Sequence, residues 1–257
     1  MPAPFAFLRV QTDDHVATIT LDRPPLNVLT IAMIRELETA LDDIAADQHL
    51  KAVVLRAEGR AFCAGVDVAD HGPERVEAML RGFSRLFVHL RAFPAPTIAV
   101  VHGAALGGGT ELAMACDLVL AGASARFGQP EIRLGVFPPI AAAFFPQIMG
   151  YQEAAHLLFT GASIAADEAA RLRLVTMVAP DEELMVSLNT LLNQLRALSA
   201  ATLRLTKRAL RYGAELGGAA SLEFIETLYL TNLMATDDAS EGINAFIEKR
   251  QPVWRDA

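Results

Sequence analysis

The chain has 257 residues, of which 53% are hydrophobic and 20% charged, and its net charge is -8. A chain of this length buries a sizeable core without disulfide or metal staples. The acidic balance, with no run of Lys and Arg, argues against nucleic acid as a partner, because phosphate neutralisation dominates that affinity.

The hydrophobic share lies above the usual ~45–50%, which suits buried subunit contacts as well as a core. Cys63 and Cys116 form no CxxC or His-rich metal spacing; they read as core thiols in a reducing cytosol. The N-terminal stretch Met1–Asp14 lacks a basic segment followed by a long apolar run, so no signal peptide is expected. Gly135–Gly150 is apolar but short and interrupted by Pro138, Pro139 and Pro146, so it cannot cross a bilayer as a helix of about 20 residues. A cytoplasmic protein is expected.

In chain order, His15–Leu21 is β-branched and alternating, which predicts a strand stopped by Pro24 and Pro25. Ile34, Leu37, Leu41 and Ile44 form one apolar stripe and predict a helix over 31–46. Ala52–Leu55 reads as a buried strand, 73–93 as a helix ended by Pro94, and Thr97–Val101 as a second buried strand. A helix entered from a glycine turn is expected over 108–116, with strands over 118–120 and 174–178. Beyond Asp181 only helices are expected, over 181–198, 202–212, 221–236 and 240–249, with Gly217 and Gly218 as a turn. The alternation indicates an α/β fold with mostly parallel pairing. It divides into a core over 1–195 and a helical C-terminal region over 196–257.

The segment Val101–Pro139 carries the chemistry. Gly103, Gly107, Gly108 and Gly109 lie between a buried strand and a helix, where the backbone can approach a ligand and aim N–H groups at it. The helix N-terminus adds partial positive charge, suited to an oxygen that becomes anionic during reaction. Neither a Walker loop nor an early strand-GxGxxG-helix unit fits, and tight helix–strand packing alone would also explain glycines here. Phe62–Asp67 forms a second small-residue turn able to offer another N–H. Glu111 and Glu131 both have apolar neighbours in sequence, including Leu112, Ala113, Ile132 and Leu134. Either one alone reads as a capping or surface carboxylate; in apolar company both can exchange protons near neutral pH.

Taken together, LDRPPLNVL, AFCAGVDV, GAALGGGTELAMACD, FGQPEIRLGV and EGINAFIEKR resemble the crotonase (enoyl-CoA hydratase/isomerase) superfamily nearly end to end. The resemblance implies a spiral of ββα units with a helical C-terminal region, assembled as a homotrimer or a dimer of trimers. It implies an acyl-CoA substrate, with coenzyme A as part of it, and no metal or redox cofactor. The backbone N–H groups of Val66 and Gly108 would hold the thioester oxygen, and Glu111 and Glu131 would be the catalytic pair. Ala64, Asp67 and Val68 would lie along coenzyme A, Ala64 near the adenine. Phe246 and Lys249 match positions that complete a CoA site, often across subunits. The lysine common shortly after the AGxD motif is replaced by Ala69, which leaves Arg23, Lys249 and Arg250 as phosphate candidates.

Where straight-chain hydratases continue through a glycine-rich turn, this chain reads Phe137-Pro138-Pro139-Ile140-Ala141. Proline has no N–H to offer there. PPLNVLTIAMIRE and GVFPPIAA resemble the cyclohexa-1,5-diene-1-carbonyl-CoA hydratases of anaerobic benzoyl-CoA degradation, which implies a flat ring held by Phe137, Pro139 and Phe144, with His71 in the loop that shapes the acyl pocket. Subunit or core packing would explain the same residues. An ordinary 2-enoyl-CoA hydratase or isomerase is the nearest alternative, and an RNA-binding crotonase homologue is the alternative of another class.

Overall fold

The computed structural model describes residues 5–256; of the N-terminal stretch read for a signal peptide, residues 1–4 lie outside that range. Among the described residues, nine strands and ten α-helices fall in chain order: β1 Leu8–Asp13, β2 Val16–Leu21, α1 Ile31–Ala45, β3 Ala52–Ala57, α2 Val76–Ala92, β4 Thr97–Val101, β5 Ala104–Leu106, α3 Gly108–Met114, β6 Leu118–Gly122, β7 Arg126–Gly128, α4 Pro139–Met149, α5 Tyr151–Thr160, β8 Ser163–Ala165, α6 Ala166–Arg171, β9 Met177–Ala179, α7 Leu184–Arg196, α8 Ala200–Leu216, α9 Gly218–Leu228 and α10 Asp237–Glu248.

The main sheet has the order β1-β2-β3-β4-β6-β9, parallel except for the antiparallel β1–β2 edge. Side chains alternate across it. Val53, Leu55, Ala99 and Val101 meet the α1 stripe and Phe83, Leu86 and Phe87 of α2 on one face. Val54, Ile98, Val100 and Leu120 meet Leu184, Leu188 and Leu192 of α7 on the other. Thr30 caps α1, its hydroxyl accepting from Met33 N at 3.2 Å, which is why the helix starts at Ile31.

Several expected bounds shift. His15 sits at φ 62, outside the strand; the predicted strand over 174–178 lies at Met177–Ala179, and the helix predicted from 73 begins at Val76. A separate small sheet, β5-β7-β8, and helices α4 to α6 were not expected. Three-residue strands show no period, and α4 is apolar on all sides, so neither leaves a pattern to read. Lys207 ties α8 to the body: its Nζ is 2.6 Å from Asp117 Oδ2 and donates to Ala95 O at 3.1 Å. No helix among the described residues is long and apolar enough to cross a membrane.

Candidate active site

The carboxyl ends of β3 and β4 open into two loops that lace together. Phe62 N donates to His102 O at 2.9 Å, Cys63 N to Ala104 O at 3.1 Å, and Leu106 N to Cys63 O at 2.9 Å. Gly109 must be glycine here, since a β-carbon would collide with Cys63 O. This lacing brings Val66 beside the start of α3: a β-carbon added to Gly108 would stand 2.7 Å from Val66 Cγ2 and 3.4 Å from Val66 N. Neither the Val66 nor the Gly108 amide donates to another group among the described residues. The second, as the first residue of a helix, has no carbonyl to bond within it.

The small sheet sets the other half of the site. β5 and β7 run parallel, so Gly107 N donates to Gly128 O at 2.8 Å. The chain leaving β7 therefore passes directly over the start of α3 and delivers Glu131 in a short 3-10 turn, Pro130–Leu134. A β-carbon on Gly107 would run into the Glu131 carboxylate. Gln129, fully buried, donates its side-chain nitrogen to both Glu131 oxygens, at 3.1 and 3.2 Å, in the amide orientation that satisfies both partners.

Glu111, in the first turn of α3, is buried and accepts from Ala141 N at 2.8 Å. That amide belongs to the N-terminus of α4, where Pro139 is the first helical residue, a position that needs no N–H. The helix thus aims its positive end at Glu111. Burial still wins, raising the Glu111 carboxyl to about 8, with the Ala141 amide opposing and the neighbouring Glu131 charge adding to the rise. Glu131 is also raised by burial, and the His71 imidazole acts in the opposite sense.

The Glu111 shift carries a stability prediction. The folded state keeps a proton that the unfolded carboxyl, with its ordinary value of 4.5, would release. Stability therefore falls as pH climbs from about 4.5 towards about 8, by an amount on the order of a few kcal/mol. Glu111→Gln should flatten that dependence in thermal melts taken across the interval, whereas a parallel slope in wild type and variant would contradict the burial argument.

One cavity of roughly 370 Å³ collects these groups. Glu111, Glu131, Val66 and Gly108 all line it, as do Ala64, Val68, His71, Phe137 and Pro139. His71 Nδ1 lies 3.1 Å from Asp67 O. Asp67 itself does not line the cavity; its carboxylate braces the loop by accepting from Ala69 N at 3.0 Å. Other expected residues lie elsewhere. The Arg23 guanidinium donates to Val28 O at 2.9 Å. Phe246 and Lys249 are exposed on and just after α10, and Arg250 is held by Glu241 and Glu248. Phe144 packs against Phe87, with ring centroids 4.8 Å apart and planes tilted by 45°, and does not line the cavity. Sequence reasoning missed the α2 wall, Val76, Met79, Leu80 and Phe83, although the apolar stripe of that helix was visible. It also missed Gln129 and the Ala141 amide, which have no sequence signal apart from their neighbours.

The Enoyl-CoA hydratase/isomerase family model matches residues 11–257. The chain belongs to that family. It is 38% identical over 245 residues to cyclohexa-1,5-dienecarbonyl-CoA hydratase of Thauera aromatica, covering 95% of each chain. It is 33% identical over 248 residues to short-chain-enoyl-CoA hydratase of Clostridium acetobutylicum, covering 94% of this chain and 95% of that one. Among solved structures, an enoyl-CoA hydratase from Bacillus anthracis matches with a TM-score of 0.92 at 30% identity, over 98% of this chain and all of that one. The chain is thus an enzyme of the enoyl-CoA hydratase type with the crotonase fold, and its substrate class is an acyl-CoA.

Proposed function

We propose that the protein adds water to a conjugated enoyl-CoA thioester, and that its substrate is cyclohexa-1,5-diene-1-carbonyl-CoA. The observation that carries this reading is the convergence of two carboxyl groups and two unpaired amides on one cavity.

An isolated carbon–carbon double bond resists water. Conjugation to a thioester lets added charge spread to the carbonyl oxygen, and the Val66 and Gly108 amides are placed to bind that oxygen. Losing one such donor typically costs about 3–4 kcal/mol of barrier. Water must lose a proton and carbon must gain one. Glu131 serves as the acid and Glu111 as the base that orients water. The reaction requires no metal or redox group, and coenzyme A enters as part of the substrate. In the free enzyme Glu111, the group pushed up to about 8, is the better proton store. Gln129 holds the Glu131 carboxyl in place through both its oxygens. Burial raises both carboxyls, so the pair can hold and pass a proton near neutral pH.

Ala64, Asp67 and Val68 would border the coenzyme A entrance, and Phe246 and Lys249 would reach the cavity of another protomer. That fits a trimer or dimer of trimers built through the 196–257 region. Its exposed apolar residues, Leu210, Leu222, Tyr229, Leu230, Phe246 and Ile247, have no cover among the described residues. The cytosol, where free thiols persist, suits Cys63 and Cys116, both buried and pushed up to about 12 by burial.

The ring substrate is favoured by the walls. Pro138 and Pro139, with Phe83, Met79 and Phe137, line the acyl space with apolar groups. Incubation with crotonyl-CoA and with cyclohexa-1,5-diene-1-carbonyl-CoA, following loss of conjugated absorbance, tests the choice. Fast loss with the ring alone supports it; fast loss with crotonyl-CoA alone selects the ordinary short-chain hydratase, and no loss with either removes hydration.

A further inference from the structure

A second cleft, of roughly 350 Å³, lies between the end of α2 and one face of α8. It stands at the amino end of β4, whereas the catalytic cavity stands beyond the carboxyl end of the same strand, about 16 Å of extended chain away. Arg204, Lys207, Arg208 and Arg211 all line it; their spacing of three and four residues puts them on one helical face. Four cations on one wall are unusual in a chain whose net charge is -8.

Little around them neutralises their charge. Lys207 is matched by Asp117. Arg211 meets Glu215 only at 3.5 Å, and its Nε is buried with no hydrogen-bond partner among the described residues. Arg204 donates to the carbonyl of Gln48 at 2.7 Å. Arg208 makes no ion pair among the described residues and lies over the Tyr212 and Phe224 rings, 6.0 and 5.8 Å from their centroids. The end of α2 contributes roughly half an elementary negative charge, which falls short of the surplus. Guanidinium groups left with open donors in a concave site match the oxygens of phosphate geometrically as well as electrostatically.

We propose that this cleft binds a phosphate-bearing anion, with Arg204, Arg208 and Arg211 as its ligands and Tyr212, stacked on Phe224 at 3.9 Å, as a flat wall beside it. The occupant is an organic or inorganic polyphosphate, and the site is separate from the one that turns over the thioester.

Isothermal titration of the full-length protein with inorganic pyrophosphate at low salt tests this, in wild type and in Arg208→Gln/Arg211→Gln. The double variant should bind about tenfold or more weakly, with hydration of the preferred thioester unchanged, and added salt should weaken binding to wild type. Equal affinity in the two proteins overturns the proposal. So does absent binding in wild type. If instead the variant alters the sedimentation of the protein and wild type takes up no pyrophosphate, the cleft receives carboxylates of a second copy and the phosphate assignment fails.

Discussion

Glu111→Gln and Glu131→Gln are each expected to lower turnover by about 10²–10⁴-fold, with retention of the coenzyme A thioester little changed. Gln keeps the shape of the side chain and, at position 111, can still accept from Ala141 N, so the loss reports proton transfer and not collapse of the wall. The two variants need not behave alike. Hydration of the ring divides into attack of water at one end of the conjugated diene and protonation of the carbon at its other end. Solvent deuterium entering the second position separates them. If Glu131 is the acid, product incubated with Glu111→Gln still exchanges that hydrogen, and product incubated with Glu131→Gln does not. The opposite pattern assigns the acid role to Glu111, the residue that burial already keeps protonated near neutral pH. Near-normal turnover in both variants would end the mechanism altogether.

Much of the site was legible because its parts are local in sequence. A glycine run that enters a helix, a small-residue turn after a buried strand and two glutamates in apolar company each have a physical reading, and the cavity unites them. What holds them in place was not legible, because it comes from pairings between segments far apart. Gly107 meets Gly128 through β5 and β7, strands too short to show a period. Glu111 meets Ala141 through α4, whose apolar residues on every side hide its helical register. Pro139 illustrates the limit best. Read in sequence, it removes an N–H from the site. In the fold it is the first residue of α4, and the next turn of backbone supplies the Ala141 N–H to Glu111 instead. The main sheet, by contrast, follows from alternation along β2, β3 and β4, whose two faces separate cleanly onto α1 and α7.

That dependence on backbone placement makes Gly107 the sharpest single position outside the glutamates. It sits at φ 53 and ψ -126, a combination that a residue with a β-carbon occupies at a cost of about 1–3 kcal/mol. Its missing β-carbon also leaves room for the Glu131 carboxylate. Gly107→Ala therefore strains the entry to α3 and displaces Glu131 from Gln129 in one step. Turnover should fall about as far as in Glu131→Gln, on the order of 10²-fold or more, with melting lowered by several degrees and thioester binding largely kept. A displacement of that carboxylate predicts non-additivity: Gly107→Ala combined with Glu131→Gln should lose little more than Glu131→Gln alone. If the two losses multiply instead, Gly107 acts through the Gly108 amide and the oxyanion, and the close approach of Glu131 to the turn is not what the glycine is there to permit.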